Sequence, residues 1–194
     1  MNYLAHAFLS TSDEILIGNF IGDSVKGKFI NKYPEGISQG IFLHRAIDTY
    51  TDCHPTFRKS KSRLRAKYGL FSGILVDMFY DHFLAAQWSQ YSCVSLTDFS
   101  SNTYKTIQKY HYYLPDKIKI ILPYMISEDW LYSYSTFKGI QKSLIGINDR
   151  TRQRGMISDA HLDLMEYYYY FFDDFRIFFD DVRKEFPGNK KFVL

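Results

Sequence analysis

The sequence predicts an all-α protein folded as a single compact multi-helix domain over residues 1–194. Three observations carry that prediction. Apolar residues recur at steps of three and four along the whole chain, the spacing of one helix face. No stretch keeps the two-residue alternation, bounded by Asn-Gly or Asp-Gly turns, that marks a hairpin. No linker or internal repeat divides the chain, and 194 residues with 46% hydrophobic side chains supply enough apolar surface for one core.

The elements follow in order. A first helix is expected over residues 3–9. A second covers 14–29, ends near Gly27 and the stretch before Pro34, and puts Leu16, Phe20 and Asp23 on one face. The third spans 37–53 and stops at His54-Pro55, because a residue before proline avoids helical geometry while proline suits a first helical turn. A basic fourth helix covers 55–68. The central helix, 70–91, places Leu70, Ile74, Asp77, Asp81, Leu84 and Trp88 on one stripe, with two acids among apolar residues. Ser95 or Thr97 caps a helix running toward 113, Pro115 opens the next, and Ser127 caps a short one near 130–134. A helix over 137–148 precedes a polar loop at 149–158. The last helix runs over 159–185 and ends before Pro187-Gly188; Asp173-Asp174 and Asp180-Asp181 read as its exposed side. Its aromatic run builds core and permits a homodimer without requiring one.

Composition narrows the function classes. The opening MNYLAHAFLS lacks the basic flank and long apolar run of a signal peptide, and no stretch approaches the ~20 apolar residues of a membrane span. Cys53 and Cys93 are isolated and form no disulfide framework, which suits a reducing cytoplasm. A net charge of +3 with no recognition motif argues against nucleic acid. The run Arg58, Lys59, Lys61, Arg63, Arg65 and Lys67 is either a solvated helix face or a docking surface for an acidic partner. Glycine-rich phosphate loops, nucleophile elbows and H-E-x-x-H motifs are absent from the sequence.

The chemistry-bearing residues are acids and imidazoles placed on apolar helices: His6, Asp23, His44 with Asp48, and Asp77 with Asp81 and His82. His44 and Asp48 lie four apart, so both point to one place, and Asp77 and Asp81 repeat that geometry. Buried carboxylates are costly unless a metal ion, a basic side chain or a proton compensates them. Carboxylates beside imidazoles suit Mn²⁺, Mg²⁺ or Fe²⁺, and helical proteins build such centres from several converging helices. Taken singly, each residue also reads as a helix cap or as a partner of Arg45. His54, His111 and His161 lack comparable neighbours and read as structural or surface residues.

These residues fall in a recognisable pattern: Asn2-x-Leu4-Ala5-His6, Gly18-Asn19 with Asp23, His44-Arg45-x-Ile47-Asp48 with Thr51-Asp52, and Asp77-x-x-x-Asp81-His82-Phe83-Leu84 followed by Trp88. With it the chain resembles the acyl carrier protein phosphodiesterase family. The resemblance implies hydrolysis of the phosphodiester between 4′-phosphopantetheine and the serine of acyl carrier protein, requiring Mn²⁺ or Mg²⁺. It also implies a fold like that of HD phosphohydrolases with the helix order rearranged, since the adjacent pair here is Asp81-His82 and not His-Asp. On that footing Asp23, His44, Asp77, Asp81 and His82 hold the metal. Asp23 matches the family's essential acid, and His6, Arg45 and Asp48 join it in catalysis. Arg58, Lys59, Lys61 and Arg63 meet the acidic carrier. The competing expectations are an HD-type nucleotide phosphohydrolase and a non-catalytic helical partner-binding module whose acids close ion pairs.

Overall fold

A computed structural model describes residues 2–150 and 157–188. Those residues form α1 (Tyr3–Phe8), α2 (Asp13–Ile21), α3 (Glu35–Cys53), α4 (Pro55–Tyr68), α5 (Ser72–Ala86), α6 (Leu96–Lys109), α7 (Asp116–Ser127), α8 (Trp130–Ser133), α9 (Phe137–Arg150), α10 (Ala160–Glu166) and α11 (Tyr168–Glu185). No strand occurs among them, and none of these helices is long and apolar enough to cross a membrane.

Glycine sets how closely α2 and α3 approach. A Cβ on Gly18 would lie 2.0 Å from the Ile37 carbonyl oxygen, and one on Gly40 would lie 2.3 Å from that of Ile15. Both obstacles are backbone, so neither can swing aside, and the two helices touch main chain to main chain. The chain then leaves α-geometry at Gly22, where a Cβ would lie 2.3 Å from the His44 ring. The expected second helix therefore ends at Ile21 and continues as two 3₁₀ turns, Gly22–Ser24 and Gly27–Lys32, the second opening with Gly27 at φ 47°.

Other boundaries differ from expectation for local reasons. The central helix is shorter, flanked by 3₁₀ turns Gly69–Phe71 and Trp88–Gln90, and Leu70 lies in the first of these with 88% of its surface exposed. Ser95, and not Thr97, caps α6 by accepting the Asp98 N–H at 3.0 Å. Asp129, and not Ser127, caps α8, with its carboxylate on the Tyr132 N–H at 3.3 Å and its backbone left-handed at φ 40°. The last helix divides at Tyr167 into α10 and α11. The loop expected at 149–158 falls mostly outside the described residues.

The core lies where α11 packs on α4 and α5. Phe171, Phe175 and Phe178 are buried against Phe57, Phe79, Tyr80 and Phe83, and Phe179 against Phe8 and Tyr91. Asp174, expected on the exposed side of that helix, is buried instead. Its carboxylate accepts from Lys59 Nζ at 3.0 Å, from Ser60 Oγ at 2.9 Å and from Arg63. Lys67 pairs with Asp163 at 2.8 Å, Lys61 with Asp52 at 3.4 Å, and Arg58 Nε donates to the Asp52 carbonyl. The basic run that looked free to dock a partner is largely spent holding α10, α11 and the end of α3 together, because a buried carboxylate needs a cation at short range.

The glycine contact yields a stability prediction. Gly18→Ala forces α2 off α3 and is expected to destabilise the protein by about 1–3 kcal/mol, the cost of overpacking a rigid contact. Gly146→Ala, where an added Cβ meets nothing within 4 Å, is expected to leave the thermal midpoint unchanged or raised. Thermal denaturation of the two variants checks the difference.

Candidate active site

Close packing of α2 on α3 brings Asn19 beside two histidines, and this buried amide organises both. Asn19 Nδ2 donates to the His6 carbonyl at 2.7 Å and to Ser10 Oγ at 3.1 Å, which fixes the amide's orientation. Its Oδ1 then accepts from His6 Nδ1 at 2.7 Å, while its backbone carbonyl accepts from His44 Nδ1 at 2.8 Å. With both acceptors carbonyl oxygens, the hydrogen-bond network assigns the proton of each ring to Nδ1. Each Nε2 is thereby turned toward the acids.

The rings stack with centroids 4.2 Å apart. His6 Nε2 lies 3.2 Å from Asp48 Oδ1; His44 Nε2 lies 3.1 Å from Asp48 Oδ2 and 3.2 Å from Asp23 Oδ1. The buried His44 Nε2 nonetheless makes no well-aligned hydrogen bond. His6, His44 and Asp48 each offer one ligand atom, all within 4.8 Å of one another. Asp23, on the Gly22–Ser24 turn with its side chain 87% exposed, closes the set from the solvent side.

Electrostatics explain the protonation of this cluster. Burial opposes a charge on His44, but Asp23 and Asp48 outweigh it and raise the imidazole to about 9. Burial lowers His6 to about 4 against the pull of Asp48, so the two stacked rings do not both carry charge. Burial also works against ionised Asp48, yet His44 and His6 hold it well below the usual carboxylate range. The His44 contact with Asp23 does the same for that acid. One proton on His44 leaves the neutral Nε2 of His6 facing a carboxylate oxygen with no hydrogen between them. A cation among these atoms would relieve both contacts, and imidazole with carboxylate is a donor set for Mn²⁺, Mg²⁺ or Fe²⁺. Metal-bound histidines fixed by a second hydrogen bond to a carbonyl are a recurring arrangement.

The cluster opens into a cleft of about 640 Å³ lined by Asp23, His6, His44, Asp77, Ile74 and, from α7, Lys117. Asp77 thus faces the same space as the histidines, and burial raises its carboxyl. Asp81 and His82 do not join them. Asp81 turns to the start of α1 and accepts the backbone N–H groups of Leu4 at 2.8 Å and Ala5 at 3.2 Å; burial, against those two donors, raises it to about 7. His82 Nδ1 donates to the Tyr134 carbonyl at 2.8 Å, and its ring packs on Phe83, Phe137 and Tyr168. Of the metal set expected from sequence, Asp23 and His44 meet in the cluster and Asp77 faces its cleft, whereas Asp81 and His82 lie apart from it; His6 and Asp48 stand beside His44 instead. Asp77 and Asp81 share a stripe but stand about one turn apart along α5, so Asp77 lines the cleft while Asp81 meets the backbone at the start of α1. Arg45, expected to join Asp23 in catalysis, donates to the Val25 carbonyl at 2.9 Å and so steadies the turn that carries Asp23.

The family model described as acyl carrier protein phosphodiesterase matches residues 1–182. The chain belongs to the acyl carrier protein phosphodiesterase family. Relatives of that name include one from Yersinia pestis, 30% identical over 95% of this chain and 97% of its own. Another, from Enterobacter sp. (strain 638), is 32% identical over 87% and 88%. No solved structure matches the chain. Asn19 stands in the Gly18-Asn19 motif with no role assigned to it from sequence, and Lys117 stands in none of the motifs. Asn19 stands in the sequence as a lone amide within the apolar stretch 15–21, which was a usable signal; Lys117 is one of many exposed lysines and gave none.

The cluster's charge predicts a pH effect. In metal-free protein the His44 pKa is raised from 6.5 to about 9, so its stabilisation is full below pH 6.5 and is lost as pH rises through 9. The loss is on the order of 3 kcal/mol. Urea titrations at pH 6.5 and 9 check it, and His44→Gln is expected to abolish that difference.

Proposed function

We propose that the protein hydrolyses the phosphodiester between 4′-phosphopantetheine and the serine of acyl carrier protein, with Mn²⁺ or Mg²⁺ held by His6, His44 and Asp48, and Asp23 beside them. The reading rests on one observation above the rest: two buried imidazoles have their Nδ1 groups tied to Asn19 and both Nε2 atoms turned onto carboxylates. Family membership supplies the substrate. When bound, the ion supplies positive charge that makes phosphorus more electrophilic and water more acidic.

The chain's own residues do the rest. Asp23, exposed at the cleft and kept ionised by His44, accepts the proton of the attacking water. The water oxygen bonds to phosphorus, the bond from phosphorus to the serine oxygen breaks, and serine takes a proton from solvent at the open mouth. Phosphate leaves on the pantetheine side. Lys117 brings an ammonium group to the phosphate oxygens from the cleft wall. Asn19 keeps both imidazoles in the tautomer that offers Nε2, and Asp81 acts at one remove by fixing the start of α1, which carries His6.

Docking of the acidic carrier falls to cations other than the ones internal pairs consume. Lys26 and Lys28 follow Asp23 closely in the chain, are exposed, and make no ion pair among the described residues. Charge reversal at both is expected to raise KM for holo-carrier about tenfold at low salt, with the effect shrinking as salt rises. Alanine at Arg58 is expected to change KM less than twofold.

The deciding experiment follows release of 4′-phosphopantetheine from holo acyl carrier protein with Mn²⁺ added or chelated. Wild type is expected to be active only with metal, and Asp48→Asn to lose at least a hundredfold. Release that survives both chelation and Asp48→Asn overturns the reading. Calorimetry in buffers of different ionisation enthalpy adds an independent measure. Mn²⁺ binding at pH 7 is expected to expel about one proton, that of His44, and Asp81→Asn to bind Mn²⁺ within threefold of wild type.

A further inference from the structure

The cleft that holds the histidines does not end at the acids. Asn2, Tyr3, Met78 and Ile147 line it and also line a second cavity of about 340 Å³. The two spaces therefore lie side by side, with these four residues shared between them. The second lies between α5, α8 and α9, with Trp130, Ile145 and Gly146 on its sides. Glu128 and Lys142 form part of its lining as an ion pair at 2.9 Å, and Glu128 also accepts the Trp130 Nε1–H at 3.0 Å. Its volume lies in the range of roughly 300–1,000 Å³ typical of small-molecule sites. The acid cluster needs no apolar room of this size beside it.

A phosphodiester bound at the cluster extends in two directions. One side is a folded carrier protein, too large for either cavity, which stays at the cleft mouth. The other is a thin chain of methyl-bearing and amide-bearing carbons without charge beyond its phosphate. Such a chain suits a mainly apolar room walled by Met78, Ile145 and Ile147, with uncharged polar groups at Asn2 and the serines of α8 and α9 and the charges of Glu128 and Lys142 paired with each other. A nucleoside would need donors and acceptors for a base edge, whereas the Trp130 N–H is already committed to Glu128.

We propose that this second cavity is the binding site for the pantetheine arm, holding it while the phosphate lies at the His6–His44–Asp48 cluster. The assignment rests on the function proposed above. It makes α9 the specificity element of the protein: the depth of the room beside Gly146 sets how much can follow the arm, including a group carried on its thiol.

Gly146 offers a direct test, because a Cβ there meets nothing within 4 Å. Gly146→Leu starts its side chain in open space at the cavity wall and improves helix propensity. With Mn²⁺ present, kcat/KM for holo-carrier is expected to fall at least tenfold, mostly through KM. With bis(p-nitrophenyl) phosphate, which lacks the arm, the change is expected to stay under twofold. Ile145→Asp, at a position 44% exposed, places a charge in the same room and is expected to repeat the split. Calorimetry with free 4′-phosphopantetheine is expected to show at least tenfold weaker binding to either variant. Equal losses on both substrates, or no loss on holo-carrier, overturn the arm site and leave the release reaction standing. Failure of the wild type itself to release 4′-phosphopantetheine overturns the function on which the site rests.

Discussion

The contact of α2 with α3 through Gly18 and Gly40 is the constraint on which the site depends. Without side chains at these positions, the Asn19 carbonyl comes within hydrogen-bond reach of His44 Nδ1, and Gly22 leaves room for the same ring. One residue of α2 then serves two histidines from different helices, His6 through its amide and His44 through its backbone. Backbone geometry is stiffer than any side chain, so the two Nε2 atoms are set in place before any ligand arrives. That is the preorganisation a reactive centre needs.

Two kinds of buried charge share this small protein, and their surroundings separate them. Asp174 is met by Lys59, Arg63 and Ser60, so its charge is answered within the fold and ties α4 to α11. Asp48, half-buried, is met by the imidazoles of His6 and His44, the first held neutral by burial. The first arrangement is a closed structural pair. The second leaves lone pairs and carboxylate oxygens turned toward each other, which is costly in a fold and useful in a site.

Much of this was legible in the sequence. The all-α class follows from periodicity, and His44 with Asp48 follows from four-residue spacing on a helix whose other face is apolar. What periodicity cannot do is say where a residue on a stripe points once the stripe crosses more than one neighbour. Asp77 and Asp81 look equivalent in sequence, yet Asp77 lines the cleft while Asp81 supplies the acceptor for the first N–H groups of α1. A cap supplied from another helix leaves no local pattern. Asp174 fails for the same reason, since its partners stand more than a hundred positions away in the chain. The basic run was visible, but whether its charges faced solvent or acids was decided by long-range packing alone.

The helices that carry the site are short ones held from outside. α1 has six residues and no side-chain cap of its own, and a helix of that length is marginal in isolation. Asp81 supplies the missing acceptor, so His6 is positioned by an acid of α5 that stands apart from the cluster. Asp23 sits on a three-residue 3₁₀ turn held by Arg45 through the Val25 carbonyl. The two residues flanking His44 in the cluster are thus pinned by long-range contacts, while His44 itself rides on the nineteen-residue α3. This division places the rigid imidazole at the centre of the cluster and its most exposed acid on a short 3₁₀ turn, where few internal hydrogen bonds resist local motion.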